Sequence, residues 1–564
     1  MSDRFAWTVA AISLAAFAVF FAWPVFQILR GGFVDADGRF TVRYLVALLA
    51  DRSSVTALAN SLGLAAATTV AATALALPLA RVVSRYEFPG KPALGALILA
   101  PMILPPFVGA IGVKQLFGQY GAFNAVLHRL HVLAPDTTID WLAANRFWGV
   151  VLVQALSLYP IVYLNLSAAL ANLDPAMEEA AQNLGSTGFR RFRRITLPLI
   201  RPGLFAGATL VFIWSFTELG TPLIFDYNRV ASVQIYEGLK DIGSNPVPFA
   251  LVSLVLFLSV TLYAGGRWLV GRGAEAPSGR AARAADTRPL PPLRRWACTA
   301  LLVSVAALAL LPHLGVVVVA FARDWFDSVL PRDWTLANFQ VALSHPLTLR
   351  SIANSLRFAA IATAIDVFLG VAIAYVIVRS SLRVRHLLDV LTMLPLAVPG
   401  LVLAFGYLTM SQDGRLLGFL NATRDPTLLI VAAYAIRRLP YVVRSSVAGL
   451  EQTSVTYEEA AQNLGATPLR AMRRVTLPLI MANVIAGGVL AFAFAMLEVS
   501  DSLVLAQKQA YYPITKTILE LFQLLGDGRH LASALGVWAM VFLGLVVGWL
   551  SLLLGRRMGM LFRV

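Results

Sequence analysis

Apolar runs about 20 residues long, the length that crosses a bilayer as a helix, recur from one end of this chain to the other. No other feature of the sequence limits its fold as strongly. Of 564 residues, 58% are hydrophobic and 13% charged, whereas soluble domains run to roughly 45–50% apolar and about 25% charged. The expected class is therefore an all-α integral membrane protein. Reading apolar runs between polar breaks places spans at 6–30, 55–81, 93–113, 146–170, 203–225 and 248–270. A second set follows at 297–321, 351–378, 387–410, 427–449, 483–506 and 532–555. That is six plus six, about twelve transmembrane helices. The opening run, MSDRFAWTVAAISLAAFAVFFAWPVF, is too long for a signal-peptide core and shows no small-x-small cleavage site, so it reads as a retained first span.

The two sets are repeats, and internal duplication is the second strong constraint. ALANSLGLAAATT near Asn60 matches SIANSLRFAAIAT near Asn354 at an offset of 294, and the proline-broken third spans, PMILPPFVGA and PLAVPGLVLA, keep that offset. Further on, YPIV aligns with LPYV, and Glu218 with Glu498, at an offset of 280, because the first half has the longer loop around 115–145. The chain divides into a first half (1–272), a linker (273–296) and a second half (297–564). The linker region, GRGAEAPSGRAARAADTRPLPPLRR, has no apolar face to bury and reads as a tether.

Charge and cysteine exclude other classes. Lys and Arg number 46 against 30 Asp and Glu. Such an excess suits nucleic acid in a soluble protein, but in a membrane protein it marks cytoplasmic loops. Arg81, Arg85 and Lys91 after the second span are repeated by Arg379, Arg383 and Arg385. Arg190, Arg191, Arg193 and Arg194 after the fourth are echoed by Arg473 and Arg474, and the linker adds more. All fall on one side if both termini are cytoplasmic, while VDADG and SQDG on the other side carry more acid. Cys298 is the only cysteine, which excludes an internal disulfide and a cysteine metal site and leaves a small buried hydrophobe.

One polar segment is duplicated almost intact: EEAAQNLGSTGFRRFRRITLPLI from Glu178 and EEAAQNLGATPLRAMRRVTLPLI from Glu458. Asp174 before Pro175 predicts an N-cap and first turn, and Glu178 and Glu179 suit the helix dipole. Met177, Ala180, Ala181 and Leu184 form a face whose alanines let a partner approach closely. Gly185 sits where a helix ends in a left-handed turn. A second short helix is expected with Thr187 and Thr467 as caps, and with stripes of Phe189, Phe192 and Ile195, or Leu469, Met472 and Val475. Each copy thus reads as two short helices hinged at glycine on the cytoplasmic membrane surface. An interfacial anchor would look similar but tolerates many sequences. A DNA-binding helix-turn-helix does not suit a pair pinned between two spans.

The duplicated segment resembles the EAA loop of bacterial ATP-binding-cassette importer permeases, whose pattern is Glu-Ala-Ala, three residues, Gly, nine residues, then Ile-x-Leu-Pro. Glu179, Ala180, Ala181, Gly185, Ile195, Leu197 and Pro198 match at every spacing. Glu459, Ala460, Ala461, Gly465, Leu477 and Pro478 do so again, with Val475 in place of isoleucine. Fused permeases of this length look like iron(III) importers, and FTELGTPLIF at Phe216 is similar to a stretch of that group. The second half reads MLEVSDSLVLAQ where related permeases more often show a Glu-Leu-Pro-type stretch, which leaves the substrate open. The resemblance implies that each EAA helix is a coupling helix docking in a separate ATPase subunit. It also implies that a periplasmic binding protein delivers substrate, and that this chain binds two ATPase copies in the bacterial inner membrane. ATP and Mg would sit on those subunits. This chain carries no G-x-x-x-x-G-K-[ST] loop, and no cofactor, metal site or catalytic residue is expected of it.

Ionisable side chains within spans usually face a cavity or a partner. Asp366, Glu218, Glu498 and Asp501 qualify as path residues, with Glu498 and Asp501 on one helix face and Glu218 and Glu498 related by the repeat. Carboxylates suit a hard cation such as ferric ion. Arg437 and Arg438 lie mid-span where the first half has Ser157 and Leu158; they either neutralise those acids or bind an anion such as phosphonate, sulfate or molybdate, and thiamine or a polyamine stays open as cargo. Asn60 and Asn354 read as interhelical hydrogen-bond groups, Gln154 and Tyr159 as possible path lining, and His128 with His131 as loop residues without a third metal ligand. Six plus six spans also describe major-facilitator secondary transporters, but ARVVSRYEFPGKPA after the second span lacks their Gly-x-x-x-Asp-Arg pattern. A passive channel would give the duplicated loops no role.

Overall fold

The computed structural model describes residues 3–270 and 290–554, apart from 36, 104, 135, 143–145 and 242–244. Most of the expected linker falls outside the described residues. Among the described residues the one sheet is a two-stranded antiparallel ladder, Ala322–Asp324 with Asp333–Trp334; the rest of the regular structure is helical.

Nine described helices are long and apolar enough to cross a bilayer: Phe5–Phe33, Arg52–Arg85, Arg146–Ala171, Gly188–Phe216, Val247–Gly266, Pro292–Phe321, Pro346–Arg379, Pro468–Met496 and Gly528–Gly548. Two broken pairs raise the count to eleven: Lys91–Ile103 with Pro106–Arg129, bent by 95°, and Val384–Leu396 with Gly400–Met410, bent by 99°. The bends sit at the proline clusters, where Pro105 (ψ 139°) and Pro399 (ψ 145°) take extended backbone that cannot continue a helix. The helix at the expected tenth span, Thr427–Gln452, has 26 residues and is long enough at about 1.5 Å per residue. Arg437, Arg438 and Arg444 remove it from the apolar class.

Two boundaries differ from the sequence reading. The second helix of each duplicated segment is not separate from the following span: Gly188–Arg191, a π-turn at Phe192–Thr196 and Leu197–Phe216 run on as one helix, as do Pro468–Ala471, Met472–Thr476 and Leu477–Met496. The wide turn, closed by Leu197 N–H on the Phe192 carbonyl, accommodates Pro198, which would otherwise clash one turn back. At the other end these helices stop at Phe216 and Met496, short of the expected 225 and 506. Short helices Gly220–Ile224 and Ser500–Leu505 follow the breaks.

The chain forms two compact units, each mixing helices from both sequence halves. One gathers described residues of 58–230 and 260–338. In it Pro106–Phe117 packs so closely on Pro292–Phe321 that a Cβ at Gly112 would stand 2.3 Å from the Pro312 carbonyl oxygen. The other gathers described residues of 1–57, 231–259 and 339–554; there the Tyr407 hydroxyl donates to the Phe20 carbonyl. The duplication extends to packing. A Cβ at Gly207 would lie 2.9 Å from Val162 Cα, and one at Gly487 2.9 Å from Val442 Cα. Gly207 and Gly487, like Val162 and Val442, are partners at the 280-residue offset. Small residues at such crossings let backbones approach where apolar burial alone gives no drive.

Candidate functional site

The first duplicated segment starts as expected. Asp174 accepts from Ala176 N–H and caps the helix Pro175–Asn183. Gly185 (φ 80°) and Gly465 (φ 89°) take the left-handed turn, with open space where a Cβ would stand. Around each glycine the same three positions are apolar and more than half exposed: Met177, Leu184 and Phe189 in one copy, Tyr457, Leu464 and Leu469 in the other. Glu179, Ala180, Glu459 and Ala460 are exposed beside them, whereas Ala181 turns inward. Ile195, Val475, Leu197 and Leu477 are half-buried in the helices that continue into the spans; Pro198 is half-buried and Pro478 exposed.

The preceding glutamates point the other way. Both Glu178 oxygens are held by the Arg85 guanidinium, one at 3.1 Å, and Thr196 Oγ1 donates to Glu178 Oε1 at 2.6 Å. In the repeat, Arg379 Nε donates to Glu458 Oε1 at 3.0 Å and the Tyr375 hydroxyl to Oε2 at 2.8 Å. The Arg379 Nη2 also caps the end of helix Thr427–Gln452, reaching the carbonyls of Leu450 (3.1 Å) and Thr453 (2.7 Å). Where the repeat has Tyr375, the first half has Arg81, whose guanidinium lies 4.3 Å from the Phe192 ring. Sequence reasoning assigned Glu178 to the helix dipole and Arg85 to loop charge. The signal that they belong together was their joint recurrence as Glu458 and Arg379.

Inside the spans, Glu218 and Glu498 sit at the helix breaks, and both close the break. Glu218 accepts from Thr221 N–H at 3.1 and 2.9 Å; Glu498 Oε1 is 3.5 Å from Asp501 N. A broken helix in hydrocarbon leaves N–H groups that water cannot serve, and a carboxylate satisfies them. Their neighbours then diverge. Glu218 takes a bond from Gln154 Nε2 at 3.3 Å, and the Gln154 carbonyl oxygen accepts from Ser215 and Thr68. Glu498 is ion-paired to Arg437 at 2.9 Å and to Arg438, while Arg437 also reaches Asp501 at 2.9 Å. The Arg437 guanidinium lies against Gly400, where a Cβ would meet Nη1 at 2.1 Å. At the repeat offsets the second half carries Asp366, Arg437, Arg438 and Asp501 where the first has Ala72, Ser157, Leu158 and Thr221. At these positions the second half thus carries two acids and two bases that the first lacks, with no net charge.

Asp366 is buried, and neither of its oxygens has a hydrogen-bond partner. Tyr159 donates to the Ile98 carbonyl at 2.8 Å. Asn60 and Asn354 tie spans to loops, donating to the carbonyls of Arg229 and Ala510 at 2.9 Å each. His128 Nε2 lies 2.8 Å from the Thr137 carbonyl and its Nδ1 3.9 Å from Asp327. Among the described residues no group of three or more His, Cys, Asp or Glu is placed to hold a metal ion.

A duplicated multi-span chain with breaks in corresponding spans and a repeated exposed loop has the architecture of a membrane transport subunit. The model of the family described as binding-protein-dependent transport system inner membrane component matches residues 72–273 and again 366–560, and the chain belongs to that family. It is a permease subunit, not an enzyme. Residues along most of the chain align with the ferric transport system permease protein FbpB of Actinobacillus pleuropneumoniae, 27% identical over 87% of this chain and 70% of that protein. The Fe(3+)-transport system permease protein FbpB 2 of Haemophilus influenzae is 24% identical over 79% of this chain and 80% of that protein. The sulfate transport system permease protein CysT of Salmonella typhimurium is 31% identical, over 33% of this chain and 65% of that protein.

Proposed function

We propose that this chain forms the whole translocation channel of an ATP-driven importer for iron(III), with twelve spans in two six-span halves and both termini in the cytoplasm. The tenth span, which brings the count to twelve, is the arginine-bearing helix Thr427–Gln452, where Arg437 and Arg438 are met by Glu498 and Asp501. A periplasmic binding protein delivers the cargo, and two copies of an ATPase subunit, holding ATP and Mg, grip the two coupling loops. The observation that carries this reading is the repeated apolar triple around a left-handed glycine, Met177, Leu184 and Phe189 matched by Tyr457, Leu464 and Leu469. Exposed apolar side chains of that size, repeated on a polar loop, suit a surface that another protein covers, although the bilayer surface could cover them too. The residues Glu179, Ala180, Ala181, Gly185, Ile195, Leu197 and Pro198, with Glu459, Ala460, Ala461, Gly465, Val475, Leu477 and Pro478, form the two coupling segments.

Iron is supported by the ferric relatives that align with both halves, over 87% and 79% of this chain; the sulfate relative is a shorter protein, aligned over 33% of this chain and 65% of its own length, so its coverage does not weigh against an oxyanion. The charge pattern agrees. Arg437 and Arg438 are engaged by Glu498 and Asp501, so neither arginine stands free to hold an anion. Glu218, bonded by Gln154 and Thr221, is the carboxylate we place on the path. Reconstitution into liposomes with the ATPase and the binding protein tests the proposal. ATP-dependent accumulation of radioactive iron(III) is expected. Uptake of sulfate or molybdate instead would replace the cargo, and uptake driven by an ion gradient without any ATPase would remove the importer reading.

A further inference from the structure

We infer that Glu178 and Glu458, each one residue before the motif glutamate, are positioning residues that bolt the coupling helices to the ends of the second and eighth spans. The inference rests on the importer reading and adds to it the groups that carry motion from loop to membrane. In each copy two adjacent acids face opposite ways. Glu179 and Glu459 are exposed, while Glu178 and Glu458 turn back onto Arg85 and Arg379. Those arginines lie at the ends of helices Arg52–Arg85 and Pro346–Arg379. The pairs are not loose surface contacts, which are worth little. Side-chain exposures are 13% and 17% in the first copy and 12% and 5% in the second, and every carboxylate oxygen has a donor.

Without the bolt, the nine-residue helix Pro175–Asn183 would be held by two short connections, the inward packing of Ala181 and the exposed Arg191–Gln182 bond. A push on it would then be taken up by those joints before it reached the spans. With the bolt, a displacement at the exposed face is delivered to the second or eighth span directly. The third attachment differs between halves. Thr196 links Glu178 to the π-turn that leads into the fifth span, whereas Arg379 links Glu458 to the end of Thr427–Gln452. These side-chain links join the first loop to the second and fifth spans and the second loop to the eighth and tenth, beside the backbone that runs on from the loops into the fifth and eleventh.

The test uses the full chain purified with its ATPase, reconstituted in nanodiscs and assayed for hydrolysis stimulated by the binding protein. Glu178→Gln and Glu458→Gln should leave ATPase copurification unchanged, because the exposed face is intact. Stimulated hydrolysis should fall about threefold to thirtyfold, the range of coupling losses along such networks. Arg85→Glu with Glu178→Arg should recover most of the loss, while either reversal alone should not. Should Glu458→Gln fail to accumulate in the membrane, Tyr375→Phe removes one hydrogen bond and keeps the ion pair, and a loss of about threefold is expected there. Unchanged stimulation in the glutamine variants overturns the bolt, as does a reversed pair no better than its single reversals, or loss of ATPase copurification in Glu178→Gln but not Glu179→Gln. Absence of stimulation in the unmodified complex would instead remove the importer reading on which the bolt depends.

Discussion

Asp366 and Glu498 are both buried in the second half, yet one carboxylate lacks hydrogen-bond partners and the other is held by two arginines. Opposite mutational outcomes follow. Burying a polar group without partners costs roughly 1–3 kcal/mol on mutational scales, so Asp366→Leu should raise stability by about that amount. Removing one partner of a buried ion pair typically costs about 3–5 kcal/mol, and Arg437→Leu should be destabilising to that degree because it strands Asp501. Thermal unfolding of the purified chain, followed by tryptophan fluorescence, separates the two signs. The ionisable residues were legible from the sequence because charge inside an apolar run is conspicuous. Their pairing was legible only as one of two alternatives, neutralisation or anion binding: whether Arg437 meets Glu498 depends on how helices cross, and a single chain's spacing does not encode that. The comparison of Asp366, Arg437, Arg438 and Asp501 with Ala72, Ser157, Leu158 and Thr221 was the available clue, since opposite charges inside spans tend to pair.

Helix Pro175–Asn183 and its left-handed exit at Gly185 were readable from Asp174, Pro175 and the glycine, each of which has one strong local preference. The continuity of Gly188–Phe216 was not, because Pro198 normally announces a break and only the π-turn at Phe192–Thr196 cancels it. Two predictions belong to these elements. A side chain with a Cβ in the left-handed region costs about 1–2 kcal/mol, so Gly185→Val with Gly465→Val should deform both exits. Loss of ATPase copurification with normal membrane insertion is the expected result, and unchanged copurification would show that the loops are not the grip. At the other end of the same helix, Glu218→Gln keeps an acceptor for Thr221 N–H and removes the charge. It should preserve assembly and stimulated ATP hydrolysis while lowering iron uptake, measured as uptake per ATP consumed.

For the molecule as a whole, duplication is the organising fact, and it was plain in the sequence because the two halves retain YPIV and LPYV, Asn60 and Asn354, and both polar segments. The composition of the compact units was hidden. Each combines the core of one half with helices of the other, and hydropathy carries no information about which helix neighbours which. If each coupling loop binds one ATPase, native mass spectrometry of the complex should show two ATPase subunits per chain. Reporter fusions at both termini and within 273–289 should all be cytoplasmic; a periplasmic signal at any of the three would invert the topology. The unbroken helix from Gly188 to Phe216 has a mechanical corollary. Its 29 residues make a rod about 43 Å long at 1.5 Å per residue, with no joint before Thr217. Tilting it by about 10° about its lower end would swing the carboxylate of Glu218 through roughly 7 Å. Such an arc is wider than an ion's coordination shell, so a modest rocking of the base is enough to take this group out of reach of whatever it was holding.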